Sequence, residues 1–342
     1  MAGVTIDGIQ FTYPDNPCMV FNPCIVTVGI TVARVRIGIS GINATYQGHN
    51  GECTVDIRAF LQAGFTNLKM GKDNFSSFGM SELGKDVSVT ITALAEDNST
   101  LAQYTATIFC IWGGMGINEE INDIRKLTMW VGYPFTYGRY YGAAVDAGVG
   151  VFEFSNGSQS YIASYYPTSR GVWSIPITTS GCDNIIIREH GQHATEYVNI
   201  KVEEHRDGMY LRWVDRHGFW RYWLFKIGDP QREAASRFGM FSRIDWEDYN
   251  ATFGWQGASG RRQSFTRNDI IPVCAPLVDQ DTFDMLQDVT TSPCVDMLVE
   301  AEPYERWTAV AVQPGTYTKD VDKPEQDFIF NVVMPEIPIQ SL

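Results

Sequence analysis

Hydrophobic and polar residues alternate along much of the chain, which is the pattern of β-strands with one buried face. In the first third, five such runs cover residues 26–32, 35–39, 53–61, 87–93 and 104–112. The phase slips by one residue between the first two runs, which predicts a bulge or tight bend near Ala33 and Arg34. The turn sequence at residues 96–99 predicts an antiparallel hairpin between the last two runs. We therefore expect residues 1–115 to form one β-sandwich or barrel domain.

The next segment combines aromatic residues with prolines and glycines, after a glycine-rich joint at residues 112–116. Residues 117–126 are polar and predict a linker with at most one turn of helix. The aromatic residues that follow are Trp130, Tyr133, Phe135, Tyr137, Tyr140 and Tyr141. This stretch is too interrupted for a strand and too aromatic for a solvent loop. We therefore expect its rings to pack against a neighbouring subunit or a partner protein.

Two turn sequences separate three β-rich runs between residues 197 and 225. The first turn contains Asp207 and Gly208, and the second runs from Asp215 to Gly218. This order predicts a β-meander in which Gly218 takes a positive φ to reverse the chain. Both faces of the strands are apolar, so we expect the sheet to be covered on both sides.

The rest of the chain predicts further strands and one helix. Residues 281–289 place Phe283, Leu286 and Val289 on one helical face after an acidic or threonine start. Strand-like runs lie at residues 149–154, 161–165, 185–188, 295–299, 307–312 and 328–333, with a polar, irregular stretch over 229–262. The sequence predicts a mainly β protein with two to three β-sandwich or barrel-like domains and one short C-terminal helix. The expected domains are residues 1–115, 116–228 and 229–342.

Charge and cysteine usage narrow the classes of function. The chain has 342 residues, with 26 Lys and Arg against 40 Asp and Glu, a net charge of −14. A surface of that sign repels phosphate, so we expect no specific nucleic-acid binding. No apolar run approaches the roughly 20 residues of a membrane-spanning helix, and no signal sequence is recognisable, so we expect neither membrane insertion nor export. The cysteines are Cys18, Cys24, Cys53, Cys110, Cys182, Cys274 and Cys294, which are singly spaced and predict free thiols in a reducing compartment.

Candidate chemistry is sparse. His190, His193, His205 and His217 fit no zinc-ligand spacing, and we expect them in solvent-exposed turns. No serine lies in a G-x-S-x-G motif, and paired carboxylates arise by chance among 40 acidic residues. The sequence therefore predicts no catalytic residue, metal ligand or cofactor site. A glycan-degrading enzyme is the weakest of three functional hypotheses.

The aromatic residues Trp220, Tyr222 and Trp223 allow two interpretations. On an exposed sheet face they would form a platform for stacking sugars, as in a carbohydrate-binding or host-adhesion β-sandwich protein. In the interior they would fill a core or a subunit interface, because Trp and Tyr offer large apolar areas with one polar atom. The second interpretation is favoured, and carbohydrate binding is kept as the alternative function.

The segment Tyr210–Phe225 resembles a signature of tail and baseplate proteins of phages and prophages that infect Bacteroidetes-type hosts. In that signature a strand ending in W-x-D/N is turned by a glycine into an aromatic strand. Other blocks agree in their order, namely Asn22-Pro23, Tyr133-Pro-Phe-Thr136, the Trp307–Val312 run, Lys319 and the run from Phe328 to Pro335. Together they resemble distal tail proteins, in which a β-rich ring-forming region joins a β-sandwich region.

The resemblance implies a structural component without catalytic residues. Such a protein forms a homo-oligomeric ring, six-fold by the resemblance, that joins the tail tube to the host-recognition apparatus. Its implied partners are copies of itself, the tail tube, the tail hub and receptor-binding proteins. The implied location is the virion, after synthesis in the bacterial host cytoplasm.

Overall fold

The computed structural model describes the chain except for residues 15–16, 30–31, 66–77, 156–157, 179–180, 191–195, 237–239, 242–260, 263–264, 302–304 and 336–342. The described part is mainly β, with several sheets, a nearly closed barrel and a short C-terminal helix, which confirms the predicted fold class. The seven cysteines all lie among the described residues, and none of them forms a disulfide bond, as expected. Within these residues no helix has the length and apolar character needed to span a bilayer.

The N-terminal region is a sandwich of two sheets. Its elements are β1 (Ala2–Ile6), β2 (Ile9–Tyr13), β3 (Cys18–Met19), β4 (Ile25–Gly29), β5 (Arg34–Ile39), β6 (Ile42–Gln47), β7 (Glu52–Asp56), α1 (Arg58–Ala63), β8 (Gly79–Met80), β9 (Gly84–Leu94) and β10 (Thr100–Ile111). One sheet has the order β1-β2-β4-β7, and the other has the order β3-β10-β9-β5-β6. The alternating apolar residues of both sheets meet in one buried core that includes Val26, Val28, Val35, Ile37 and Ile91.

The predicted phase slip near Ala33 marks the passage from one sheet to the other, because β4 and β5 belong to different sheets. The predicted hairpin of β9 and β10 is confirmed, with Val89 opposite Ala106 and Ile91 opposite Tyr104. Both observations follow from alternation, since a residue that turns to the wrong face would lose its burial.

The prediction of one strand over residues 53–61 is wrong in its second half. Strand β7 ends at Asp56, whose carboxylate accepts a hydrogen bond from the amide of Arg58 at 3.0 Å, and α1 follows. Ile57 and Leu61 are both fully buried. Residues four apart share a face in a helix as well as in a strand, so their spacing fits both periods.

The central region contains two sheets. Its strands are β11 (Lys126–Trp130), β12 (Phe135–Tyr141), β13 (Val149–Ser155), β14 (Ser158–Tyr165), β15 (Gly171–Ile177), β16 (Asn184–Glu189) and β17 (Glu196–Glu203). The larger sheet has the order β11-β17-β16-β13-β14, and the smaller has the order β12-β15-β8. The prediction that residues 130–141 are too interrupted for a strand is wrong, since Gly132 and Pro134 occupy the turn between β11 and β12.

The C-terminal region is the nearly closed barrel. Its elements are β18 (Met209–Val214), β19 (Trp220–Ile227), β20 (Gln231–Ser236), β21 (Met240–Phe241), β22 (Arg261–Arg262), β23 (Phe265–Asp279), α2 (Gln280–Gln287), β24 (Val295–Glu300), β25 (Arg306–Ala309), β26 (Ala311–Val312) and β27 (Glu325–Val333). The main path is β25-β24-β18-β19-β23-β27-β26, with β20 also paired to β23, while β21 and β22 pair separately.

The barrel is nearly closed by one stretch of chain. Strands β25 and β26 lie at opposite ends of the strand order, yet only Val310 separates them in sequence. The predicted single strand over residues 307–312 is therefore two short strands that serve opposite ends of the sheet. The barrel combines strands from both sides of residue 228.

The meander prediction is half correct. Strands β18 and β19 form the predicted hairpin, and every residue of β18 is buried, which confirms the expectation of a sheet covered on both sides. Strand β17 instead pairs with β11 and β16, so the turn at Asp207 and Gly208 connects two sheets. The predicted C-terminal helix is confirmed as α2, where the Asp279 carboxylate accepts a hydrogen bond from the Thr282 amide at 2.8 Å.

Candidate functional site

The aromatic stretch that was expected at a subunit interface lies largely inside the chain. Trp130, Phe135, Tyr137 and Tyr141 are buried, whereas Tyr133 and Tyr140 remain partly exposed. The surface that covers these rings includes the β18–β19 hairpin. Four of the six rings therefore bury their surface within one subunit.

Ring contacts join this stretch to the hairpin. Trp130 meets Trp223 edge to face at 4.9 Å, and Phe135 lies 5.2 Å from Tyr222. The Tyr210 hydroxyl donates a hydrogen bond to the carbonyl of Pro134 at 2.8 Å. The aromatic signal in the sequence thus located a packed interface between two parts of the same chain.

The turn from Asp215 to Gly218 is organised by one buried carboxylate. Asp215 Oδ1 accepts hydrogen bonds from the amides of His217 at 3.0 Å and Phe219 at 2.8 Å. Its Oδ2 accepts from Arg221 Nε at 2.7 Å, and both side chains of that ion pair are almost fully buried. One side chain therefore fixes the turn and neutralises a buried guanidinium.

Gly218 meets two requirements at the end of this turn. Its φ is +81°, as predicted, and a Cβ there would lie 2.8 Å from both Ile111 Cγ2 and the carbonyl oxygen of Trp112. At Gly208 a Cβ would lie 2.5 Å from the carbonyl oxygen of Phe225. Both glycines of the predicted turns therefore allow close backbone contact.

His217 lies in the β18–β19 turn, where this turn contacts Gly114, Glu119 and Asp123 between the sandwich and the barrel; we call this contact the joint. His217 is only 2% exposed, so the expectation of a solvent-exposed turn histidine is wrong for it. Its Nε2 is 3.4 Å from Glu119 and its Nδ1 is 3.5 Å from Asp123. Burial alone would lower the pKa of His217, but Asp123, Asp215 and Glu119 outweigh it and raise the pKa. Of the other histidines in that prediction, His190 and His205 are not buried, and His193 lies outside the described residues.

Arg216 and Asp288 extend this charged group toward the end of α2. Arg216 forms an ion pair with Glu119 at 2.9 Å, and its Nε lies 3.8 Å from Asp288. Burial and the nearby carboxylate of Asp215 raise the pKa of Asp288 to about 6. The Gly114 amide donates to the carbonyl of Arg216 at 2.6 Å, which ties the sandwich directly to the turn.

Two clefts flank this joint, with volumes of ≈ 270 Å³ and ≈ 340 Å³. The first is lined by Asp123, Arg216, Asp284 and other residues, and the second by Phe21, Trp112 and other residues. In the described part of the chain no group of three His, Cys, Asp or Glu side chains has an arrangement that could hold a metal ion. The charged groups of the joint face one another, and this arrangement holds the sandwich, linker and barrel together.

The residues considered as a sugar platform are in the core. Trp220, Tyr222 and Trp223 are each less than 10% exposed. The guanidinium of Arg212 lies 4.7 Å from the Trp220 ring and 4.2 Å from the Trp307 ring, and it pairs with Asp296 at 2.9 Å. The favoured interpretation of these aromatics as core is confirmed, and their role as a platform is wrong.

Two of the four edge strands of the sandwich, β1 and β6, form a second candidate site. Strand β1 lies beside β10, whereas β6 lies beside β7, so the two strands occupy opposite sides of the sandwich. Neither contains a charged residue or a proline. Each has one strand partner among the described residues, so its other edge carries backbone groups without a strand partner there. Such edges are the usual sites of strand pairing between chains.

The chain was compared with protein-family models and with curated proteins. No protein-family model matches the chain, and no curated protein matches it at a significant level.

Proposed function

We propose that the protein is a non-enzymatic structural subunit of a phage tail tip or baseplate, in which copies of the chain join head to tail in a closed ring. The observation that carries this proposal is the pair of uncharged edges, β1 and β6, on opposite sides of the sandwich. A head-to-tail interface needs two different surfaces on each copy, and it generates a ring when the rotation closes.

Charge supports the choice of these edges. The whole chain has a net charge of −14, so two copies repel each other at most surfaces. Strand β7, next to β6, begins with Glu52 and ends with Asp56, so it would resist pairing with another negatively charged copy. Pairing of β6 with β1 of the next copy brings no charged side chains of these strands together.

The contacts at the joint support a structural role, because they hold parts of the subunit in fixed positions. The charged group around His217 connects the β18–β19 turn of the barrel to Glu119 and Asp123 of the linker, and the Gly114 amide, just after the last strand of the sandwich, donates to the carbonyl of Arg216 in the same turn. A subunit that joins a tail tube to a host-recognition apparatus must keep its domains in fixed relative positions. The sequence resemblance to distal tail proteins supplies the tail identity, the six-fold order and the implied partners.

Light scattering coupled to gel filtration, followed by negative-stain microscopy, tests this proposal. At tens of micromolar, we expect a discrete ring whose mass is a multiple of 38.4 kDa, with six copies if the resemblance holds. Thr45→Glu places a charge on β6 and should shift the protein to monomers. The matched change Thr54→Glu, on the already charged β7, should leave the ring intact.

Two results would overturn the proposal. One is a monomer at every concentration, including in the presence of other tail proteins. The other is a ring that tolerates Thr45→Glu as well as it tolerates Thr54→Glu, because copies would then meet elsewhere.

A further inference from the structure

The outer face of the five-stranded central sheet carries rings where polar residues are usual. On the inner face, Val149, Val151, Ile185 and Ile187 are buried in the core. Phe152 lies between the buried Val151 and Glu153 in the alternation and therefore points to the other face, where it is only partly buried. We call the outer-face group of Phe152, Tyr161, Ser164, Arg188 and His190 the aromatic face.

Two glycines let rings lie directly on the backbone of this face. A Cβ at Gly150 would lie 2.6 Å from Phe152 and 2.8 Å from His190. A Cβ at Gly148 would lie 2.6 Å from the ring of Tyr166. Glycine within or next to a strand often marks a close approach of another group, and here the groups are aromatic rings of the same sheet.

Three rings of the aromatic face form one cluster. Phe152 and Tyr161 are 5.3 Å apart, Tyr161 and His190 are 5.4 Å apart, and Phe152 and His190 are 5.8 Å apart. Phe152 and Tyr161 meet edge to face, with their planes inclined by 66°, and His190 is tilted by 59° and 56° against these two rings. Tyr161 is nevertheless 48% exposed, which leaves ring surface free for a ligand.

Polar groups surround this cluster at fixed positions. His190 Nε2 lies 3.0 Å from Ser164 Oγ and 3.3 Å from the Tyr161 hydroxyl. The Arg188 guanidinium lies 4.2 Å from the centre of the Phe152 ring. The aromatic face thus combines apolar ring surface with hydroxyl, imidazole and guanidinium groups, and strand β14 contributes no charge to it.

We propose that the aromatic face binds a glycan, with a pyranose stacked on Tyr161 and its hydroxyl groups bonded to Ser164, His190 and Arg188. A pyranose has an apolar C–H face and a rim of hydroxyls, and it needs ring surface beside fixed polar groups. Nucleic acid fits poorly, because a chain with a net charge of −14 repels phosphate. A neutral ligand brings no charge to a negatively charged protein.

Glycan binding goes beyond ring assembly, and it is placed at residues that the sequence analysis did not connect with sugar binding. Tyr161 lies on β14, in the central sheet, whereas the proposed assembly edges β1 and β6 belong to the N-terminal sandwich. Glycan binding and ring formation can therefore fail separately.

The test uses the full-length protein on an array of defined bacterial and animal glycans, followed by calorimetry with the strongest glycan. We expect binding that Tyr161→Ala and His190→Ala each weaken by about tenfold or more, as truncation of a central contact does. Tyr161→Phe keeps the ring and should retain most of the affinity. The matched control is Phe21→Ala, because Phe21 is 45% exposed but lies next to Trp112, in the N-terminal region.

Three outcomes would overturn the inference. The first is an array without binding above background. The second is binding that Phe21→Ala weakens as much as Tyr161→Ala does. In the third, Tyr161→Ala changes the oligomeric mass while glycan binding stays at the wild-type level, which would make the aromatic face a contact between copies.

Discussion

The N-terminal sandwich and the C-terminal barrel are both β structures, but they are stabilised differently. The core of the sandwich is mostly aliphatic, with Phe11 and Phe65 as its buried rings. The barrel contains stacked and edge-on rings together with the buried ion pairs Arg212–Asp296 and Arg221–Asp215. Among the described residues, every buried charged side chain lies beyond residue 115.

The two regions also differ in how many sheet edges they leave open. The sandwich leaves β1 and β6 at its sides, whereas the barrel uses β25 and β26 to bring the ends of its sheet together. A closed barrel offers few backbone groups for pairing with another chain. The open, aliphatic region is therefore suited to assembly, and the nearly closed, charged region is suited to rigidity.

The largest expected effect on stability comes from removing one partner of a buried ion pair in the barrel. Asp215→Ala removes the acceptor of three donors and leaves Arg221 buried without its partner, which should cost about 3–5 kcal/mol of unfolding free energy. Urea unfolding measures the loss. The control is Asp97→Ala in the sandwich, where a fully exposed carboxylate accepts hydrogen bonds from Ser99 and water can replace them, so a far smaller cost is expected. Equal costs would contradict the contrast between the two regions.

A second test compares two glycines with similar backbone angles. Gly218→Val meets both a φ of +81° and contacts at 2.8 Å, so we expect a loss of about 3 kcal/mol from strain and overpacking together. Gly41→Val in the sandwich has a φ of +85° but no atom within 4 Å of the added Cβ, so about 1–2 kcal/mol is expected. Thermal melting of both variants gives the difference. A smaller loss at Gly218 than at Gly41 would show that the close contact with Trp112 is absent.

A third test uses pH. Because the folded state raises the pKa of His217 above 6.5, its contribution to stability is complete below pH 6.5 and is lost as the pH rises through the raised pKa. His217→Gln should therefore flatten the fall in unfolding free energy above pH 6.5, measured by urea titration at several pH values. Asp123→Asn should flatten it partly, since it removes one of the groups that raise the pKa. An unchanged pH dependence in both variants would rule out this role of the joint.

The smallest effect on stability belongs to the assembly edge. Thr45 lies opposite Arg36 in the sheet, so Thr45→Glu places opposite charges side by side and should change the unfolding free energy by less than about 0.5 kcal/mol. The same limit is expected for Thr54→Glu. Urea unfolding of the two variants checks that any loss of the ring arises from the edge. A loss of several kcal/mol in Thr45→Glu alone would remove that distinction.

Alternation was sufficient to predict β4, β5, β7, β9 and β10 of the sandwich, because a strand with one buried face repeats every two residues, but it did not predict β1, β2, β3 or β6. It failed at Ile57 and Leu61, where the same spacing also fits a helix, and exposure of Ala59 decides between them. It also could not show that β17 and β18 belong to different sheets, since sheet membership depends on distant partners.

The candidate sites were predictable to different degrees. The turn chemistry identified Asp215 and Gly218, because it is local in sequence. The partners of His217 come from residues almost one hundred positions earlier, and no local pattern indicates them. The aromatic face did leave a signal, because glycines at 148 and 150 flank Val149 at the start of a strand and thus indicate a close approach to its backbone.

The connection through Val310 has a kinetic consequence for the barrel. Strand β25 pairs with β24 and strand β26 pairs with β27, so the stretch from Arg306 to Val312 is hydrogen-bonded to both ends of the sheet. If one of these two strand pairs opens, the other pair still holds the stretch in place, so local fraying of the sheet is energetically costly. Amide hydrogens of β24 and β27 should then exchange with solvent only through cooperative opening of the whole barrel, at rates set by global unfolding.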